Sequence, residues 1–328
     1  MNVNLKECIF DDISNVRNNK SQICRNINNN ILEYRYEFIL MIKPHCLFNK
    51  DKQLNKKMLE QFLTVVENHE IRFKRYYIFD NEFCAKYHIM DKQYQNLNKN
   101  AKITNYDNFK ILNTYSESGK LIGSFEFLDK YPNIDAENLE IMTHINPCKK
   151  LGNGLYLMNV DVNQERFWVI NPFHPYLLKF YNETPGIFVV FESYSNTDYH
   201  LLTDEMIGNY IPANAKNNSL RNYLFKNKNI LELNDVNAFL NGFHISPSSL
   251  EGSLSIMKYR EIFGIGAEKT LLEHKLCYED KPLMDLYVLM DNPLIEIDCK
   301  KERLFDYMET KKPSLDDSIN ILKRLYTL

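Results

Sequence analysis

The chain has 328 residues, of which 44% are apolar and 25% charged. That mixture excludes wholesale disorder, and the length allows one large hydrophobic core or two ordinary ones. Forty basic and forty-three acidic residues leave a net charge of −3, so no general affinity for nucleic acid or anionic membrane is expected.

Only 10 glycines stand against 21 tyrosines and 20 phenylalanines, which excludes folds that need many glycine turns. The seven cysteines, Cys8, Cys24, Cys46, Cys84, Cys148, Cys277 and Cys299, are odd in number and never two or three residues apart. That is neither a zinc ribbon nor a disulfide framework. The N-terminal MNVNLKECIFDDISNV carries early acids and no apolar run of signal-peptide length. No stretch of about 18 apolar residues occurs, so the expectation is a reduced, cytoplasmic protein without a membrane span.

Residues 1–33 are polar and rich in asparagine, and read as a short helix or an extended arm. The run YEFILMI at 36–42 predicts a buried strand that stops at Lys43-Pro44, where proline ends pairing. Met58, Leu59, Phe62, Leu63 and Val66 recur at helical spacing and predict a helix over 54–66. A second strand is predicted at 71–79 and a short helix at 81–88. Residues 92–165 are rich in asparagine and lysine and read as an insertion, with short strands at 121–127 and 154–160.

Regular order returns with a helix over 175–181 that has proline in its first turn. A third strand follows at 186–194, then a short helix at 200–207 closed by Gly208. Residues 220–225 read as helical and 237–245 as a fourth strand. Ser248-x-x-Glu251 is a capping box that opens a helix over 248–263. The tail from 263 to 328 predicts two or three helices and a strand near 287–290. This order predicts an α+β fold, and a ferredoxin-like βαββαβ core fits it if one helix is a decoration.

No Walker A or Rossmann glycine pattern is present. Gly264-Ile265-Gly266 reads as a helix end. His274-x-x-Cys277 lacks the second pair that a metal site needs.

A longer series is more specific. Ile42-Lys43-Pro44 ends a strand, and Ala85-Lys86-Tyr87 follows the next one. Pro172-Phe173, Leu177 to Tyr181, Thr184-Pro185 and Glu192 come in order, then Met206-Ile207-Gly208, Pro212-Ala213 and Ser219-Leu220-Arg221. Asn241-x-x-His244-x-Ser246 closes the series. It resembles nucleoside diphosphate kinase over about 34–91 and 170–262. The resemblance implies a ferredoxin-like core at 34–262, interrupted by an insertion at about 92–168 and flanked by an N-terminal extension (1–33) and a mostly helical C-terminal one (263–328).

The resemblance also implies ping-pong transfer of the γ-phosphate of a nucleoside triphosphate through a phosphohistidine to a diphosphate, with magnesium bridging the phosphates. Carried over, His244 is the nucleophile and Ser246 supports the catalytic centre. Lys43 and Arg221 neutralise phosphate oxygens, and Asn241 with Lys43 holds the ribose hydroxyl. Tyr87 lines the phosphate end and Phe173 stacks on the base. A homo-oligomer is implied as well. The chain departs from the family at three positions: Asp204 stands for a second arginine, Tyr210 for a threonine, and Ser255 or Ile256 for the carboxylate that orients the histidine. Nucleotide sensing without chemistry, or triphosphate hydrolysis, is the alternative expectation.

Overall fold

A computed structural model describes residues 3–19, 22–28, 33–103, 110–277, 286–297 and 299–326. In chain order its strands are β1 (Ile23–Asn26), β2 (Tyr36–Ile42), β3 (Arg72–Asp80), β4 (Lys120–Gly123), β5 (Lys149–Gly152), β6 (Leu155–Val162), β7 (Glu165–Ile170), β8 (Ile187–Ser195), β9 (Phe243–Ile245), β10 (Leu294–Ile297) and β11 (Lys300–Arg303). The fold is α+β. The chain divides into two compact units, Met1–Phe83 with Gly186–Leu328, and Cys84–Pro185.

In the first unit, β2 and β8 are buried at every residue, which is why they read in sequence as unbroken apolar runs. They lie at the middle of a five-stranded antiparallel sheet with order β1-β3-β8-β2-β9. Alternate residues serve two layers. Phe38, Leu40, Ile42, Phe73, Tyr76, Ile78, Val189 and Phe191 join the core under the helices Val3–Asn19, Lys56–Asn68 and Leu220–Asn227. The intervening residues meet the helix Ser249–Ile262: Tyr77 stacks on Tyr259 and touches Phe263. The capping box is present there, with Ser248 Oγ accepting from the Glu251 N–H and donating to the Glu251 carboxylate at 2.9 Å.

The C-terminal segment belongs to this unit. Leu271, Leu289, Phe305, Met308, Leu315 and Leu322 pack with Tyr194, Leu250 and Leu254 in one cluster. The strand expected near 287–290 is instead a short helix, Leu286–Leu289, and the pairing falls on β10 and β11. Leu286 and Leu289 are both buried, the i, i+3 spacing of a helix face. Of the two readings of the N-terminal residues the helix is the one found: Val3–Asn19 is a helix that buries Ile9, Ile13 and Val16, and Ile23–Asn26 is an edge strand.

Charge is buried on the face under Ser249–Ile262. Glu192 on β8 receives the Arg260 guanidinium through two bonds, 3.0 and 2.7 Å long. Arg75 lies 3.4 Å away, and the Tyr77 hydroxyl donates to the same carboxylate. Arg75 also reaches Glu268 at 2.7 Å. Glu37 on β2 accepts from the Leu271 and Leu272 N–H groups, which open the helix Leu271–Cys277, and from Ser253 Oγ. Burial pushes the Glu37 carboxyl up from the ordinary range, opposed by those three donors.

The second unit has a four-stranded sheet of order β4-β7-β6-β5, with β4 parallel to β7 and the other pairs antiparallel. The strand expected over 121–127 ends at Gly123. Ser124–Lys130 turns into a helix, which carries Phe127 onto Phe167 and Val169. The helices Ala136–Ile145 and His174–Glu183 belong to this unit.

Removing one partner of a buried ion pair leaves the other charge uncompensated. Glu192→Ala is therefore expected to destabilise the chain by about 3–5 kcal/mol in urea titration, and Glu192→Leu with Arg260→Met by much less. Equal losses in the two variants would rule out the pair as the cause.

Candidate functional site

β2 ends where Pro44 opens the one-turn helix Pro44–Leu47, leaving Lys43 extended at its N-cap. The Lys43 N–H donates to the Gly242 carbonyl at 2.8 Å. The Lys43 side chain is buried and its Nζ donates to Asn241 Oδ1, also at 2.8 Å. Asn241 completes its bonding by donating through Nδ2 to the Ala238 carbonyl at 2.9 Å and the Tyr210 carbonyl at 3.3 Å.

β9 follows directly. Its residues Phe243, His244 and Ile245 pair with Ile42, Met41 and Leu40. Only these three residues of the predicted strand at 237–245 are extended. Asn237 Oδ1 accepts from the Phe239 and Leu240 N–H groups, so 237–240 is bent into a side-chain-capped turn. Ser246 prolongs the pairing. Its N–H donates to the Ile39 carbonyl, its Oγ accepts from the Ile39 N–H at 3.1 Å, and its carbonyl accepts from Tyr199.

Arg221 lies in the first turn of Leu220–Asn227, which Ser219 caps. Its guanidinium donates to the Phe243 and Gly208 carbonyls, both at 2.8 Å. Gly208 ends the π-helix Leu201–Ile207 at φ 91°, with its Cα 's missing side chain leaving room for Ser219. Lys43, Arg221 and the segment that carries Asn241 and His244 are thus gathered from three places on the chain.

Their charges interact. Burial, with Arg221 close by, lowers the Lys43 amine to about 7. Burial lowers His244 to about 3, and Lys43 and Arg221 add to the effect. At neutral pH the imidazole is therefore neutral and carries a nucleophilic lone pair, with the Arg221 guanidinium and the Lys43 amine, itself near its midpoint, as neighbours. Such a group suits an anion and an electrophilic phosphorus.

Tyr87 and Phe173 belong to the second unit. There the Lys86 ammonium lies over the Tyr87 ring, and Phe173 meets Tyr156 edge-on with ring centres 5.3 Å apart. Asp204 pairs with Lys312 of the C-terminal segment at 3.1 Å, and the same ammonium bonds Thr203 Oγ1. Tyr210 is 44% exposed, and Ser255 is buried on Ser249–Ile262. Among the described residues no three His, Cys, Asp or Glu side chains converge as a metal site, and the Cys277 side chain lies outside the described ones.

Two nearby residues were not singled out from sequence. His45 Nε2 accepts from the Gly242 N–H at 2.9 Å, and Cys46 Sγ donates to the Lys43 and Gly242 carbonyls. Their place next to Lys43-Pro44 was the available signal, but the partner is about 200 residues away. Comparison of the chain with protein-family models and with curated proteins finds no match. No helix among the described residues is long and apolar enough to cross a membrane.

Lys43 titrates lower in the folded chain than in the unfolded one, where its value is ordinary. Between pH 7 and about 10 the unfolded chain holds the extra proton, so stability is expected to rise with pH there. Lys43→Met should flatten this rise in thermal unfolding across pH 7–9.5, and an unchanged slope would contradict a depressed Lys43. For His244 and His45, both lowered to about 3, the same sign predicts stability lost as pH falls from 6.5 toward 3. Gly242→Ala is expected to cost at least about 1–2 kcal/mol, because φ is +78°. A Cβ there would also lie 2.1 Å from Leu224 Cδ1.

Proposed function

We propose that this chain is a phosphotransferase of the nucleoside diphosphate kinase kind, working through a phosphohistidine at His244. One observation carries the reading: the Lys43 ammonium meets Asn241 at 2.8 Å, in the turn that leads to His244. Arg221 adds a second cation that acts on both Lys43 and His244. These four are among the seven residues that the sequence resemblance names.

The strand order supports the same reading. β2, helix, β3, then β8, helix, β9 is a βαββαβ succession, and the strands lie side by side as β3-β8-β2-β9. That succession suits a ferredoxin-like core, with β1 added at the edge.

In this reading the nucleoside triphosphate enters as its magnesium complex. The neutral His244 imidazole attacks the γ-phosphorus. An N–P bond forms, the bond to the β–γ bridging oxygen breaks, and the nucleoside diphosphate leaves. Lys43 and Arg221 offset charge on the phosphate oxygens, and the Lys43 amine gains a proton-holding partner as the anion arrives. A diphosphate oxygen then attacks the phosphohistidine in the reverse sense and frees the imidazole.

A second reading is a nucleotide sensor without transfer. It is favoured by Ser255, a buried hydroxyl where the resemblance calls for a carboxylate to orient the histidine. Incubation with Mg²⁺ and γ-labelled ATP separates the two. Acid-labile, base-stable label is expected on the wild type and not on His244→Ala, with Lys43→Met and Arg221→Met slower by about 10²-fold or more. Chase by nucleoside diphosphate supports the kinase, and chase by water alone a triphosphatase. Binding without label would favour the sensor, and neither label nor binding would end the proposal.

A further inference from the structure

The residue that joins the two halves of the site is Gly242. It sits at φ +78°, and the Phe243 N–H donates back to the Asn241 carbonyl at 2.9 Å across it. Glycine takes such a three-residue turn at positive φ without steric penalty, but it is also free to leave it, so the groups around the turn decide whether it is kept. The groups that bond the N–H and carbonyl of Gly242 itself come from one four-residue stretch. The Lys43 N–H and the Cys46 thiol both donate to the Gly242 carbonyl, at 2.8 and 3.4 Å. The Gly242 N–H donates to His45 Nε2 at 2.9 Å.

That last contact defines the ring. An accepting Nε2 in a neutral imidazole puts the proton on Nδ1. Burial beside Lys43 holds the ring neutral well below neutral pH, so the acceptor is present throughout the working range. Asn241 and His244 flank the turn on either side, one bonded to the Lys43 ammonium and the other paired with Met41.

We propose that His45 is a positioning residue of the phosphoryl-transfer site: by accepting the Gly242 N–H it holds the glycine turn that sets His244 against Lys43 and Asn241. The proposal rests on the phosphotransferase reading for its effect on rate, though not for its effect on the turn. Misplacing a reacting group by about 1 Å is enough to cost about 10²-fold in rate, while ground-state binding changes less. His45 touches neither the phosphate nor the reacting nitrogen in this account.

The test compares His45→Leu, which removes the acceptor, with His45→Gln, whose amide oxygen reaches the Nε2 position. Circular dichroism and thermal unfolding first confirm that each variant folds. With γ-labelled MgATP, His45→Leu is expected to label His244 at least tenfold more slowly, with ATP affinity within threefold of wild type. His45→Gln should return the rate to within threefold. Wild-type rates in His45→Leu would overturn the proposal, and so would a His45→Gln variant as slow as His45→Leu, because ring volume rather than the acceptor would then matter.

Amide hydrogen exchange at Gly242 gives a readout that does not depend on activity. It should quicken at least tenfold in His45→Leu and stay near wild type in His45→Gln. If the wild type takes no label, the phosphotransferase reading fails, and the exchange rates alone decide whether His45 holds the turn. Equal exchange in all three proteins would overturn it.

Discussion

Three residue pairs, Leu40–Ile245, Met41–His244 and Ile42–Phe243, hold the candidate site together. They join parts of the chain about 200 residues apart, and a three-residue strand is marginal by its own hydrogen bonds. Other groups reinforce it. Ser246 extends the pairing to Ile39, Tyr199 takes the Ser246 carbonyl, and Arg221 takes the Phe243 carbonyl. Phe243 itself lies flat against Phe62, so the strand is also anchored through the helix Lys56–Asn68. Arg221 therefore serves twice: it ties down the strand, and it lends positive charge to Lys43 and His244.

The two faces of the first unit treat buried charge in opposite ways. Under Ser249–Ile262, Glu192 has Arg260 and Arg75, and Glu268 has Arg75 and Lys74. Glu37 is served by the N–H groups at the start of a helix and by a serine. This is a closed network that locks helix and C-terminal segment to the sheet. At the strand ends near Lys43 the neighbouring charges repel instead, with the amine and the imidazole both held toward their neutral forms. Repulsion of that kind is tolerated where an incoming anion relieves it.

Much of the fold was legible in local pattern. The apolar runs of β2, β3 and β8, the helical spacing from Met58 to Val66 and the capping box at Ser248 all lie where the residues imply. The differences have separate causes. At 237–245 the asparagine side chains outcompete the strand ladder for backbone N–H groups, so extension begins only at Phe243. At 121–127 and 287–290 a short apolar run was read as a strand, but its partners in the core lie at helical spacing. The polar, asparagine-rich surface of Val3–Asn19 leaves an arm open beside a helix, although Ile9, Phe10, Ile13 and Val16 mark a buried face.

By itself the sequence determined the alternation of strands and helices and the order in which Lys43, Arg221, Asn241 and His244 occur, because periodicity and motif spacing are local properties. Only the tertiary structure decided that Lys43 bonds Asn241, that Ser246 is consumed by pairing with Ile39, and that His45 grips Gly242. It also decided that Asp204 is answered by Lys312, and that Glu192 is buried against Arg260. Each of these depends on sheet order, which brings distant residues within hydrogen-bond reach, and on burial, which sets what their charges cost. Neither is written in any one stretch of the chain.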